Sequence, residues 1–267
     1  MTPIGPAFLT AFALGCGAGS PLPMKASDSA FQVDLTATVA PGSSARLCRL
    51  AIVPRDLSIG RVESTSTAGT HHVEVALTDA PVAEVDGTPF DCEARRVPRR
   101  GTFYAAQETY QALSFGDGAT LALRAGEVLV LEAHVLNATS SDRIAEVEVG
   151  LFAAGADGPA LGELRLGSPF TNARKLVCHV PRHRFIQVLG GDASLEDVTL
   201  TLLGGALVAP IPLFESEPAD PLVFRPALHV AAGERFELSC SGQLPCILTG
   251  TYFPADGQGI AVCEPAS

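Results

Sequence analysis

The stretch TAGTHHVEVALTD, residues 67–79, passes from a polar, glycine-containing loop into alternating apolar and polar residues. That alternation is typical of a half-buried β-strand, whose successive side chains point to opposite faces of a sheet. His71 and His72 stand side by side at the junction, and a regular strand cannot turn both rings into one site. The simplest interpretation is a strand entrance with one packed and one solvated histidine; the alternative is a shared ligand site.

Short alternating runs of this kind, separated by Gly and Pro, recur through the chain, whereas the 3.6-residue period of a helix is nearly absent. The sequence therefore predicts an all-β fold of antiparallel β-sandwiches. The most loop-like interior segment is AAGADGPALG, residues 153–162, and it lies near the middle. We expect two sandwich domains, over residues 28–154 and 160–267, preceded by a separate segment 1–27.

Composition and charge narrow the function classes. The 267 residues are 47% apolar, which is enough to build one large core or two smaller ones. Acidic residues outnumber basic ones by 29 to 18, and the formal charge of -11 argues against nucleic-acid binding. The local basic cluster RRVPRR, residues 95–100, is interpreted as a solvated loop. The GxSxG, HExxH and P-loop motifs of common hydrolases and nucleotide-binding proteins are missing.

The first 24 residues carry no charged side chain, and the first charged residue is Lys25. Within this segment, residues 3–20, PIGPAFLTAFALGCGAGS, form an apolar run that ends in small residues. This pattern predicts an export signal within residues 1–27. Cys16 follows ALG and resembles the lipidated cysteine of a bacterial lipoprotein. We therefore expect an exported protein, periplasmic or at the cell surface, that contacts the membrane only through a lipid anchor on Cys16.

Six cysteines remain after Cys16, and an even number in an exported chain favours disulfides. Their spacings do not suit a structural zinc site, because no CxxC pair is present. Sequence alone leaves fifteen pairings open. The six are Cys48, Cys92, Cys178, Cys240, Cys246 and Cys263.

A third histidine, His134, lies in EVLVLEAHVLNAT, residues 127–139, on the strand face opposite the more uniformly apolar one. Three imidazoles from two segments, with no nearby carboxylate or thiolate, suit copper or zinc better than calcium or magnesium. The histidines of the second half, His179, His183 and His229, are each interpreted as structural. His179 and His183 are four residues apart, so a second site on one strand face stays open.

Four segments together resemble a known family. They are SSARLCRLAIVPRD (43–56), GTHHVEVAL (69–77), FDC (90–92) and GDGATLALRAGEVLVLEAHVLNATSSD (116–142). In order and spacing these segments resemble the first domain of the copper type II, ascorbate-dependent monooxygenases, the family of peptidylglycine α-hydroxylating monooxygenase and dopamine β-monooxygenase. The resemblance implies two tandem jelly-roll domains that each hold one copper. It also implies that His71, His72 and His134 bind the electron-transfer copper.

The second half resembles the family in its cysteines and not in its metal ligands. The family's pairing implies the disulfides Cys48–Cys92, Cys178–Cys263 and Cys240–Cys246. The family's catalytic copper needs a His-x-His pair after Cys178 and a methionine directly before Cys246. The chain has neither: FIQVLGGDAS (185–194) and DVTLTLLGG (197–205) lack the pair, and Pro245 precedes Cys246.

The resulting expectation is one copper ion and no catalytic residue, in a protein for copper binding or electron transfer that uses a redox partner or a small-molecule reductant. Three alternatives stay open. The first alternative is an active monooxygenase whose second copper uses His179, His183 or His229, or a partner chain. The second is a metal-independent β-sandwich scaffold. The third is a hydratase, because three histidines with an open position also suit catalytic zinc.

Overall fold

The computed structural model describes residues 29–155, 158–167, 173–180, 182–191, 195–204, 211–216, 221–242, 246–255 and 262–266. The predicted export segment 1–27, with Cys16, and Pro245 lie outside these ranges. Among the described residues, no helix is long and apolar enough to cross a membrane.

The described chain is built from antiparallel strands and two short 3-10 turns, Val82–Glu84 and Gly116–Gly118. The strands are β1 Phe31–Val39, β2 Ser43–Ile52, β3 Leu57–Ser66, β4 Thr70–Thr78, β5 Phe90–Asp91, β6 Arg99–Ala106, β7 Tyr110–Ser114, β8 Leu121–Leu123, β9 Val128–Asn137, β10 Arg143–Ala153, β11 Gly162–Gly167, β12 Lys175–His179, β13 Arg184–Gly191, β14 Leu195–Leu203, β15 Ile211–Ser216, β16 Leu222–Val230, β17 Arg235–Gly242, β18 Ile247–Phe253 and β19 Val262–Pro265. The all-β prediction is confirmed.

Four sheets hold these strands. Sheet I has the order β1-β10-β3-β7 with β8 beside β3, and sheet II has the order β5-β2-β9-β4-β6. Sheet III has the order β11-β18-β13-β16, and sheet IV has the order β15-β14-β17-β12-β19. Sheets I and II use residues before 154, whereas sheets III and IV use residues after 161.

The alternation along β9 divides the side chains of sheet II between two faces. Leu129, Leu131 and Val135 belong to the main core of the first half, which lies between sheets I and II. Val128 and Val130 point to the opposite face and pack with the disulfide cysteines Cys48 and Cys92. This second face, called the outer face of sheet II below, also carries His134, because His134 alternates with Val135.

The two halves meet where edge strand β6 approaches sheet III. Val188 of β13 and Phe253 of β18 belong to the same apolar cluster as the core of the first half. The Thr102 and Thr249 hydroxyls lie 3.0 Å apart across the contact. Gly101 permits this approach, because a Cβ there would lie 3.0 Å from the Gly250 carbonyl oxygen.

The structure contains three disulfides, Cys48–Cys92, Cys178–Cys263 and Cys240–Cys246, which is the pairing that the family resemblance implies. Cys48–Cys92 ties the segment after β4 onto the outer face of sheet II. Cys178–Cys263 joins the neighbouring strands β12 and β19.

Removal of each disulfide should lower the free energy of unfolding by an amount that increases with the logarithm of the number of residues in the loop that it closes. The cysteines of Cys178–Cys263 are 85 positions apart and those of Cys240–Cys246 are 6 apart. In the chain-entropy account these loops contribute about 4.6 and about 2.2 kcal/mol. Urea unfolding of the two double Cys→Ala variants measures the difference. Equal losses would contradict the loop-entropy ranking.

Candidate metal centre

A β-bulge explains how two adjacent histidines reach one side of a strand. Thr70 pairs with Val135 of β9 and His72 pairs with His134, so His71 is an extra residue without its own partner position in the ladder. A bulge leaves two residues opposite one and re-aims a side chain. His71 therefore escapes the strict alternation that a regular strand would impose, and its ring turns toward His72 and His134.

The three rings converge where β4 begins and β9 ends. Their centroids lie 5.6 Å apart for His71 and His72, 5.4 Å for His71 and His134, and 5.3 Å for His72 and His134. One ligand nitrogen from each ring lies within 4.8 Å of the other two. His72 is buried, His134 is half-buried and His71 is exposed, so the cluster is anchored on one side and open to solvent on the other.

The hydrogen-bond partners of His134 leave one of its two ring nitrogens available. The His134 Nε2 atom lies 2.7 Å from the Ser44 hydroxyl, and the His134 Nδ1 atom is buried without a hydrogen-bond partner among the described residues. The His72 Nε2 atom lies 3.8 Å from Glu132 Oε1. When His134 Nε2 carries the proton and faces the Ser44 oxygen, His134 Nδ1 is the nitrogen with a free lone pair. A buried imidazole nitrogen of this kind fits a metal ligand.

The local electrostatics keep His134 in the form that binds metal. Burial, together with the nearby His72 and Arg46, lowers the pKa of His134 to about 4. The ring is therefore neutral at neutral pH, and only the neutral ring has a lone pair for a metal.

Beneath the trio, the outer face of sheet II carries a buried row of four charges, one from each of four strands. Arg46 Nη1 of β2 lies 3.2 Å from Glu132 Oε1 of β9. Arg99 of β6 pairs through its two terminal nitrogens with both Glu74 of β4 and Glu132. Glu74 and Glu132 are direct cross-strand partners, so Arg99 neutralises a repulsion between two buried carboxylates.

The two carboxyl groups respond differently to this environment. Burial raises the pKa of Glu74 more than Arg99 lowers it. Burial also acts to raise the pKa of Glu132, but Arg99, the nearby His72 and Arg46 outweigh it and bring that pKa to about 2. Glu132 is therefore the more acidic member of the pair and the anion that faces His72.

The structure corrects two inferences from the sequence. The trio does have a nearby carboxylate, because Glu132 Oε1 lies 3.8 Å from His72 Nε2. RRVPRR is not wholly a solvated loop, since Arg99 is buried in the charge row and Arg100 pairs with Glu127 at 2.9 Å and Glu163 at 3.1 Å. The alternation in the sequence places Glu74 on the same strand face as His72, and Glu132 on the same strand face as His134. This pattern could have predicted the contact between Glu132 and His72.

A second group with metal-ligand spacing consists of Cys48, Cys92 and Glu132. Both cysteines are joined in a disulfide, so their sulfur atoms are not thiolate ligands. Among the described residues, the histidine trio is therefore the one group of at least three candidate ligands that does not include disulfide-bonded sulfur atoms.

The histidines of the second half do not join the trio. His179 ends β12 in sheet IV, whereas His183 precedes β13 in sheet III, so the two do not share a strand face. His183 instead stacks on His229, with ring centroids 5.6 Å apart and ring planes 5° apart. Both rings are exposed, and no third candidate ligand lies with them among the described residues.

The chain matches no protein-family model and no curated protein. Among solved structures it is similar to PNGase F, a glycosylasparaginase from Flavobacterium meningosepticum, at 8% identity and a TM-score of 0.35. That match covers 89% of this chain and 100% of the other. A likeness at this level carries no argument about function.

Glu132→Gln should destabilise the protein strongly, because it leaves Arg46 and Arg99 buried with Glu74 and the exposed, more distant Glu93 to balance them. Loss of one partner from a buried charge cluster costs about 3–5 kcal/mol. Glu146→Gln is a matched control, since Glu146 is exposed on β10, and it should change the free energy of unfolding by less than about 0.5 kcal/mol. Urea unfolding at neutral pH compares the two. Equal stabilities would show that the charge row contributes nothing.

The His134 ring should titrate with a midpoint near pH 4 in the metal-free protein, which long-range 1H–15N NMR spectra can measure. An unfolded histidine titrates near about 6.5, so the unfolded chain binds more protons between these pH values. Stability should therefore fall as the pH falls from 6.5 to 4, and His134→Gln should remove that part of the dependence. A midpoint near 6.5 would contradict the burial argument.

Proposed function

We propose that the protein is an exported copper-binding protein that holds one copper ion at His71, His72 and His134 and uses it for electron transfer. The observation that carries the proposal is the convergence of three imidazole nitrogens within 4.8 Å of one another around an available buried Nδ1 atom. If the three histidines served only in packing, a bulge that turns His71 toward the other two rings would not be required.

The size of the cluster fits a bound ion. Imidazole nitrogens lie about 2.0–2.1 Å from a bound zinc ion, and copper is similar in size, so three ligands spread evenly around one ion are about 3.6 Å apart. The nitrogens, within 4.8 Å of one another, need to close by at most about 1.2 Å. The exposed His71 can make this movement without disturbing the core.

Copper is the favoured metal on the chemistry of the donor set. Neutral imidazoles suit copper and zinc, and the affinity of such sites for divalent first-row metals is highest for copper. A bound copper ion supplies a one-electron couple. The chain holds His72 and His134 through Glu132 and Ser44, which limits the ligand rearrangement that would accompany a change of charge.

The family resemblance supports the same ligands and the same role. His71, His72 and His134 match the electron-transfer copper site of the ascorbate-dependent monooxygenases, while the ligands of that family's catalytic copper have no counterpart in the sequence. Electron transfer or copper carriage, with a small-molecule reductant or a redox partner, is therefore favoured over hydroxylation. Three disulfides support an exported location. Lipidation of Cys16 is part of the proposal.

The monooxygenase alternative has one specific observation in its favour, the stacked pair His183–His229. Two exposed imidazoles are fewer ligands than the trio provides, so this pair is the weaker site. A hydroxylase would need a second copper there or on a partner chain.

His71→Ala should lower copper affinity at least about tenfold, because it removes one of three ligands. His71 is exposed, so the melting temperature of the metal-free variant should stay close to that of the original protein. Copper should raise the melting temperature of the original protein and have a much smaller effect on the variant. His229→Ala, which removes another exposed histidine, is the control and should bind copper as before.

Elemental analysis after copper loading and dialysis gives the stoichiometry. One copper per chain, with less copper retained in His71→Ala and full retention in His229→Ala, supports the proposal. Two coppers per chain, with one lost in His229→Ala, would instead favour the monooxygenase. No retained copper would favour the scaffold alternative, and retained zinc in preference to copper would favour the hydratase.

A further inference from the structure

A pocket of about 500 Å³ lies between the two halves, away from the histidine trio. One side comes from β7 and the 3-10 turn after it, and the other side comes from β13, β16 and β18 of sheet III. None of His71, His72 and His134 lines it. The lining residues that matter below are Ser114, Asp117, Phe185, Phe224, Arg225 and Phe253.

Hydrogen bonds across the two halves hold this interdomain pocket in shape. The buried Gln187 side chain donates from Nε2 to the Ser114 carbonyl oxygen at 2.9 Å and accepts from the Gly116 N–H at 3.1 Å. Arg225 Nη2 donates to the Ala112 carbonyl oxygen at 2.8 Å. Ligand sites in proteins are usually pre-formed, because a rigid pocket loses little entropy on binding.

The apolar wall of the pocket is aromatic. Phe185 and Phe253 stack with centroids 5.2 Å apart, and His229 lies on Phe185 at 4.9 Å. Gly116 leaves room beside them, because a Cβ there would lie 3.0 Å from Phe253 Cζ. With Phe224 also on the wall, these surfaces suit a flat apolar ring, which stacks on or packs edge-on against aromatic faces.

Arg225 gives the pocket a positive group that is held in place. Its hydrogen bond to Ala112 fixes the guanidinium beside the pocket and leaves other N–H groups to face a ligand. No carboxylate of the described residues forms an ion pair with Arg225. The guanidinium fork matches a carboxylate in two parallel hydrogen bonds. Asp117 also lines the pocket and carries a negative charge that repels an anion. Because Asp117 is exposed, solvent weakens this repulsion.

We propose that the interdomain pocket binds a small organic anion with a planar apolar body, an aryl carboxylate, whose ring lies against Phe185, Phe224 and Phe253 and whose carboxylate faces Arg225. The pocket volume suits a ligand of one or two fused rings. The inference is independent of copper, because the pocket shares no residue with the metal centre.

Indole-3-acetate and its neutral analogue indole-3-ethanol test the proposal. The chain contains no tryptophan, so indole fluorescence reports the ligand without a protein background. Titration of the full chain should give saturable binding of the acetate with a Kd below about 1 mM and roughly tenfold weaker binding of the ethanol. No saturable binding, or equal binding of both, overturns the proposal.

Variants separate the charge from the shape of the pocket. Arg225→Gln should reduce acetate binding to the level of the ethanol while ethanol binding is kept, and Arg225→Lys should keep part of the preference. Asp117→Asn should strengthen acetate binding about two- to threefold, since it removes a repulsion. Arg55→Gln, at an exposed arginine between β2 and β3, is the control and should change nothing. If Arg225→Gln weakens both ligands equally, the arginine acts only on pocket shape and the proposal is wrong.

Discussion

The pairing of β4 with β9, with one extra residue in β4, is the constraint on which the candidate metal centre depends. Downstream of the bulge the register is held by core residues on one face, such as Val75 opposite Leu131, and by Glu74 opposite Glu132 on the other. Upstream, Thr70 pairs with Val135. Between these pairs β4 has one residue more than β9, and His71 is the extra residue, which has no partner position in the strand pairing. The same register brings His134 directly opposite His72.

The buried charge row beneath the trio links the stability of sheet II to the geometry of the site. Buried charges are costly unless every one is paired, and Arg99 and Arg46 supply those pairs for Glu74 and Glu132. Because Glu132 also faces His72, the carboxylate that the arginines hold in place orients a candidate metal ligand. The Cys48–Cys92 disulfide packs on the same face and keeps the segment before β6, and with it Arg99, close to the sheet.

The period-2 alternation was enough to predict the all-β fold, because a half-buried strand must send every second side chain to water. It also placed His134 on the face away from the core. It could not supply the bulge at His71, since a one-residue offset depends on the partner strand, nor the contact of Arg99 with Glu132, which joins residues far apart in sequence. The stacking of His183 on His229 likewise follows from the pairing of β13 with β16, which brings His229 opposite Phe185. A resemblance to a family, and not the pattern, pointed to the trio as one ligand set.

X-ray absorption of the copper-loaded full chain tests the central claim most directly, because it counts the imidazole ligands around the ion. The account predicts three imidazole nitrogens per copper in the original protein and two in His71→Ala, with the remaining positions filled by water. A spectrum with fewer than three imidazoles that His71→Ala leaves unchanged would contradict it, since copper would then lie away from the three rings that the bulge brings together.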